Sequence, residues 1–292
     1  MAGKGGVGKT TVTATLACCA RQHGLTVAVV TTQPKQTSDM LGVEPATARS
    51  ALDDSPYPSD GLSVTTLDPR AALEQYLDAR KLGAIGRRLS RTGMLDLVAT
   101  AVPGIEQLIL LSQLRRVEQQ GRHDLVVFDG PPSGQALALL RAPRAVAELA
   151  RTGPLTEQAA AATAMLSDPA RSQVVLVTLP ADTPVAETIE TAFALEEDVG
   201  ITLGPVVVNG LNPPAPPVEP PTSDLAPELP RQIADAVDRA LEQDHRRHLD
   251  EQAAVRILEE RLGLALIELP DATTPSGKID LNLLVESAGG TR

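Results

Sequence analysis

Apolar positions in this chain fall in short, nearly continuous runs separated by longer amphipathic stretches. The runs are Leu25 to Thr32, Leu62 to Leu67, Leu125 to Phe128, Gln173 to Leu179, Gly204 to Asn209 and Leu264 to Leu269. Their β-branched content and length predict strands buried on both faces. Between them the spacing predicts helices at Val12 to Ala20, Ala136 to Ala150, Leu155 to Leu166, Val185 to Glu197 and Pro230 to Leu262. A further helical stretch, Ala71 to Gln120, is broken into pieces at Gly93 and at Pro103-Gly104. Strands that alternate with helices predict an α/β fold built on a doubly wound, mostly parallel sheet.

The pattern also suggests how the chain is organised. Residues 1–292 read as one domain without internal repeats, and residues 69–121 and 135–170 hold more helix than simple crossovers need. They are expected to form an inserted helical subdomain. Its apolar positions, Leu95, Leu97, Val98, Ile105, Leu108, Ile109, Leu110, Leu111 and Leu114, are too dense for a one-sided surface helix. They suit either burial against the main domain or a groove for an apolar client. Residues 211–230, with Pro213-Pro214, Pro216-Pro217 and Pro220-Pro221, read as an extended connection that neither a helix nor a central strand can continue. The last residues, 289–292, read as frayed.

Composition narrows the function. With 42% hydrophobic and 22% charged residues the chain can bury a full core. A formal net charge of −11 disfavours a nucleic-acid surface, which needs clustered Lys and Arg. There is no signal sequence and no apolar run near the length of a membrane span, so the cytoplasm is the expected compartment. Cys18 and Cys19 are neighbours on a predicted helix and point about 100° apart, which suits small buried residues rather than a metal or disulfide pair. His245 and His248 share a helix face with Arg246 and Arg247, as expected of a solvated surface.

The chemistry is concentrated in Gly3-Lys4-Gly5-Gly6-Val7-Gly8-Lys9-Thr10-Thr11, a phosphate-binding loop ahead of a predicted helix. The glycines let backbone N–H groups close around phosphate oxygens, Lys9 reaches the β/γ-phosphates and Thr10 ligates Mg²⁺. Such a loop normally hangs from a strand, yet only Met1 and Ala2 precede Gly3. A buried strand of about five apolar residues is worth on the order of 10 kcal/mol, so an upstream strand and an upstream start are expected. At the end of the Leu125 to Phe128 strand, Asp129 is placed to hold Mg²⁺, and Pro132, Ser133 and Gly134 to bring backbone near the γ-phosphate.

The loop, with its extra Lys4, resembles the deviant Walker A ATPases. Asp129 to Gly134 with Leu139-Leu140, Val177-Thr178-Leu179-Pro180 with Pro184 to Thr188, and Val206-Val207-Val208-Asn209 resemble segments of the ArsA-like (anion-transporting and tail-anchored-protein-targeting) ATPases. Asp68-Pro69-Arg70 with Glu74 to Leu77, and Pro103 to Glu106, resemble others. The resemblance implies a P-loop NTPase fold, ATP and Mg²⁺ as cofactors, and an adenine-reading role for Asn209. It also implies a homodimer, or a heterodimer with a paralogous ATPase, in which Lys4 serves the partner's nucleotide. A membrane-protein or apolar client is a further implication, and no nucleic acid is expected.

One departure matters. The family places aspartate in switch I to polarise the attacking water, and this chain has Thr31-Thr32-Gln33-Pro34. Gln33 can position a water but cannot take its proton, a loss worth about 10²–10⁴ in rate. Slow hydrolysis is the expectation; a pseudo-ATPase that only binds nucleotide, or a membrane-protein targeting factor, are the alternatives. The cysteine triad for arsenite, the C-x-x-C pair for a zinc-bridged dimer and cysteines placed to bridge an iron–sulfur cluster are absent, because the chain's two cysteines are adjacent.

Overall fold

β-Branched side chains lose rotamer freedom in a helix and pack well on a pleated surface, and the valine-rich runs accordingly form strands. The computed structural model describes residues 1–47, 61–68, 103–150, 152–214 and 228–289, with Thr222 and Ala226 before the last of these. Strands β1 (Val27–Thr31), β2 (Ala46–Thr47), β3 (Leu62–Thr66) and β4 (Leu125–Asp129) form a parallel sheet in the order β2-β3-β1-β4. A second parallel sheet runs β5 (Val174–Thr178), β6 (Leu203–Leu211), β7 (Leu266–Pro270). Val27, Ala28, Val29 and Val30 are fully buried, as helices on both faces require. The fold is the expected α/β arrangement of parallel strands.

The helices are α1 (Lys9–Gln22), α2 (Pro34–Leu41), α3 (Ile105–Gln119), α4 (Ser133–Leu149), α5 (Pro154–Leu166), α6 (Asp182–Ala194), α7 (Arg231–Leu262) and α8 (Leu281–Gly289). α3, α4 and α5 pack on one another. Leu108, Leu111, Leu139, Val146 and Met165 join Leu176 and Val206 in a single core. Leu110 belongs to the same core, and Ile105 and Ile109 of α3 are buried as well. Leu95, Leu97 and Val98, with the rest of residues 69–102, lie outside the described residues, as do Pro216-Pro217 and Pro220-Pro221 of the proline-rich connection. The carboxyl half of α7 rests on α6 through Ala254, Val255 and Leu258.

Three elements differ from the sequence reading. α2, for which no helix was expected, begins at Pro34; the fixed φ and missing N–H of proline suit the first helical position. β2 is only two residues long and pairs with the carboxyl end of β3, too short to leave a periodic signal. α8 buries Leu284 and Val285 and packs against α1. Cys18 and Cys19 are half-buried free thiols rather than core residues.

Pairing of β1 with both neighbours puts Thr31 level with Thr66 on one side and Asp129 on the other. That is the carboxyl edge of the sheet, where open α/β folds place ligands.

Between the two sheets lies the place where a strand leading into the phosphate loop would pair. Met1 and Ala2 occupy it. The Ala2 N–H donates to the Val175 carbonyl at 3.0 Å, and the Val177 N–H donates to the Ala2 carbonyl at 2.8 Å. On the other side the Met1 amine donates to the Phe128 carbonyl at 2.8 Å. A cavity of about 480 Å³ opens beside Met1, lined by Val126, Phe128, Val174 and Leu139 among others.

Burial of the Met1 amine pushes its pKa down from 8.0 to about 6, with Lys9 adding to the shift and Asp129 opposing it. A polypeptide whose first residue is Met1 therefore binds fewer protons folded than unfolded between pH 6 and 8. This amine costs no stability above pH 8, and its cost grows as pH drops through this window, to about 3 kcal/mol in all. Thermal melts at pH 8.5 and 5.5 are expected to show the loss, and acetylation of the amine to remove this component. A slope unchanged by acetylation would assign the pH dependence elsewhere.

Candidate functional site

The amino end of α1 is built to receive an anion. Gly6 and Gly8 adopt φ of 88° and 90°, a left-handed backbone that turns the loop's N–H groups inward. α1 has neither a side-chain cap nor an acidic residue in its first turn, so its leading N–H groups keep their positive end uncompensated. A Cβ at Gly8 would collide with Asn209 Nδ2, which itself donates to the Val7 carbonyl at 3.0 Å. Gly8→Ala combines that clash with a forbidden φ and is expected to cost about 2 kcal/mol. A Tm lowered by roughly 5 °C in scanning calorimetry checks it.

Lys9 lies over the loop, its ammonium donating to the carbonyls of Gly3 at 3.2 Å and Lys4 at 3.0 Å. Burial lowers its pKa from the ordinary lysine value, and Asp129 works against that. Thr10 Oγ1 donates to Asp129 Oδ2 at 2.9 Å. The same carboxylate oxygen accepts from Thr37 Oγ1 at 3.4 Å. Thr37 is fully buried and also reaches Thr31 Oγ1 at 3.5 Å and the Gln33 carbonyl at 3.4 Å. A chain of hydroxyls thus ties the segment around Gln33 to Asp129. The Gln33 N–H donates to Thr31 Oγ1 at 2.9 Å, while its exposed side chain stands at the cavity wall.

The cavity has a volume of about 650 Å³. Gly5, Gly6, Gly8, Lys9, Thr10, Thr11, Gln33, Asp129, Pro132 and Asn209 all border it. Val7 does not; it is buried, and its contribution is the carbonyl that holds Asn209. Gly3, Ser133 and Gly134 lie just outside, although the Ser133 N–H donates to the Gly3 carbonyl at 2.9 Å and fastens the two loops together. Sequence reading missed Gln36, Gly130 and the stretch Pro270 to Thr273, which also line the cavity. Pro270 ends β7, so the rule that ligands gather at carboxyl ends of strands would have found that stretch.

Thr10 and Asp129 offer a hydroxyl and a carboxylate whose oxygens already converge at 2.9 Å. Mg²⁺ takes one or two carboxylates and completes its shell with phosphate and water oxygens, so this donor set fits it. Among the described residues no cluster of three or more His, Cys, Asp or Glu could hold a metal, and His245 and His248 stay outside any such group.

Lys4 points elsewhere. Its ammonium meets Glu187 Oε1 on α6 at 2.7 Å and does not border the cavity.

A parallel α/β sheet with a glycine loop, lysine and threonine at one helix head and a carboxylate at the next strand end defines a P-loop nucleotide-binding protein. Within that class the chain belongs to the anion-transporting ATPase family, whose profile matches residues 1–159. It is 30% identical over 215 residues to ATPase BagA of Mycobacterium tuberculosis, covering 71% of this chain and 63% of that protein. It is 29% identical over 165 residues to ATPase get3 of Schizosaccharomyces japonicus, covering 53% and 49%. An ATPase ASNA1 homolog of Entamoeba histolytica is 32% identical over 149 residues, 48% of this chain and 44% of that one. The chain therefore spans less than two thirds of the length of these relatives. Among the described residues no helix is long and apolar enough to cross a membrane.

Proposed function

We propose that the chain binds Mg·ATP, hydrolyses it slowly, and uses nucleotide state as a switch while paired with a second ATPase subunit, a copy of itself or a paralogue. The observation that carries this reading is the contact of Thr10 with Asp129 at 2.9 Å, inside the cavity at the uncapped head of α1. A hydroxyl and a carboxylate under a helix amino terminus serve a polyphosphate with a hard dication better than any other ligand.

In this reading the N–H groups of Gly5, Gly6 and Gly8 cradle the phosphates. Lys9 leaves the carbonyls of Gly3 and Lys4 for the β/γ-phosphates. Thr10 and Asp129 hold Mg²⁺, which supplies charge neutralisation when bound. Asn209, with Pro270 and Asp271 across the cavity, lines the end left for the base. Gln33 orients a water by hydrogen bonding but leaves its proton in place, which keeps turnover slow. Pro132, Ser133 and Gly134 start α4, and the Ser133 bond to Gly3 couples the loop to α3, α4 and α5, so a change at the phosphate is passed to the helical layer.

Gln33 also supports a second reading, a pseudo-ATPase that binds nucleotide and never turns over. Calorimetric titration of ATP into the full chain, in Mg²⁺ and in EDTA, tests the common ground. Saturable binding of one ATP per chain, weakened by EDTA, is expected; no binding in either buffer overturns both readings. Single-turnover hydrolysis then separates them.

A further inference from the structure

In this acidic chain, Lys4 leads away from its own phosphate cradle to a carboxylate on another element. Its Nζ donates to Glu187 Oε1 at 2.7 Å, with the two side chains 40% and 38% exposed. The backbone below it is fixed. Gly3 O accepts from the Ser133 N–H, a bond that does not depend on Lys9, and in the free subunit Gly3 O and Lys4 O also accept from Lys9 Nζ. What remains free to move is the four-carbon stem and its ammonium. Glu187 sits in α6 one turn from its start, anchored by Val185, Thr188 and Ile189, which are buried on either side of it. Both backbones are thus anchored, and the lysine, with four methylenes against two, has the longer reach of the pair.

We propose that Glu187 is a holding residue for Lys4: in the free subunit it keeps the ammonium on α6, and pairing with a second subunit exchanges this carboxylate for the partner's nucleotide phosphates. The inference rests on the paired reading of the function and adds to it a named competitor. Two chains that each carry a formal charge of −11 repel, so a cation presented to the other subunit has a large part in bringing them together. Glu187 withholds it. An exposed pair of this kind is only modestly strong, and the denser negative charge of a triphosphate can displace it. Glu187 thereby sets how much nucleotide charge is needed before two subunits close.

The test compares the full wild-type chain with Glu187→Gln, Glu187→Asp, Lys4→Ala and the double variant Lys4→Ala/Glu187→Gln. Sedimentation velocity is run with Mg²⁺ and a non-hydrolysable ATP analogue, with ADP, and without nucleotide. Fluorescent-nucleotide binding confirms that each variant is folded. Glu187→Gln is expected to tighten nucleotide-dependent association by roughly tenfold, since two modest exposed pairs are released per dimer. Glu187→Asp stays near wild type, and the double variant associates no more tightly than Lys4→Ala alone. Two results overturn the proposal while leaving pairing intact: association of Glu187→Gln no tighter than wild type, or a gain that survives loss of Lys4. Nucleotide binding with no association in any variant overturns the paired reading itself, and this inference with it. Association in Glu187→Gln where wild type stays monomeric supports both.

Discussion

Gln33→Asp is expected to raise single-turnover hydrolysis of Mg·ATP by about 10²–10⁴. Gln33 is the residue preceding α2, its N–H is held by Thr31 Oγ1 at 2.9 Å, and its side chain stands exposed at the cavity wall. Aspartate is among the best residues at such a position before a helix, so the exchange keeps the backbone where it is and adds a group that can accept a proton. The Gln33 N–H is held by Thr31 Oγ1, which lies 3.5 Å from Thr37 Oγ1, and the Thr37 hydroxyl has Asp129 Oδ2 as an acceptor at 3.4 Å, so the new carboxylate is positioned relative to Thr10 and Asp129 rather than on a loose loop. Rapid quench with radiolabelled ATP is the measurement. An unchanged rate, with ATP still bound, would place the water somewhere Gln33 does not reach and favour the pseudo-ATPase.

Lys9→Ala is expected to weaken ATP binding by about 100-fold, the loss of one hydrogen bond to a charged group at the strong end of the range. Any remaining hydrolysis should fall by a further 10²–10³ or so, because Lys9 also faces charge that develops in the transition state. Lys9 is available for this task because its present partners are two neutral backbone carbonyls, of Gly3 and Lys4. Burial already disfavours its charge, and a phosphate would restore a counter-charge. Thr10, Asp129 and the loop glycines stay in place in the variant, so circular dichroism and the melting curve should stay close to wild type while calorimetric affinity collapses. Full affinity in Lys9→Ala would remove the loop from the binding site.

Residues whose identity is dictated by backbone geometry or charge were readable from the sequence. The glycines at 6 and 8 need positive φ, and Lys9, Thr10 and Asp129, singled out by the loop motif and by a strand end, border one cavity. Strand β4 ends at Asp129, where the apolar run stops. What escaped notice was set by contacts between distant segments. The Pro270 to Thr273 stretch has ordinary loop composition and reaches the cavity only because β7 pairs beside β6. α8 carries Leu281, Leu284, Val285 and Ala288 at helical spacing, yet a window this short is ambiguous until α1 supplies the surface it covers. Lys4 stood out by its place in the loop, but its present partner was not readable, since 183 residues separate it from Glu187.

The placement of Met1 and Ala2 between β4 and β5 has a practical side for anyone making the protein. The last residues of a purification tag fused ahead of Met1 would have to pass between β4 and β5, the strands that hold Met1 and Ala2. A flexible Gly/Ser spacer or a polyhistidine stretch would bring poor strand formers or charge into a lane that wants β-branched side chains, and so handicap expression and yield. Handles attached through exposed side chains of α7, such as Glu242 or Arg246 replaced by cysteine, avoid that lane altogether.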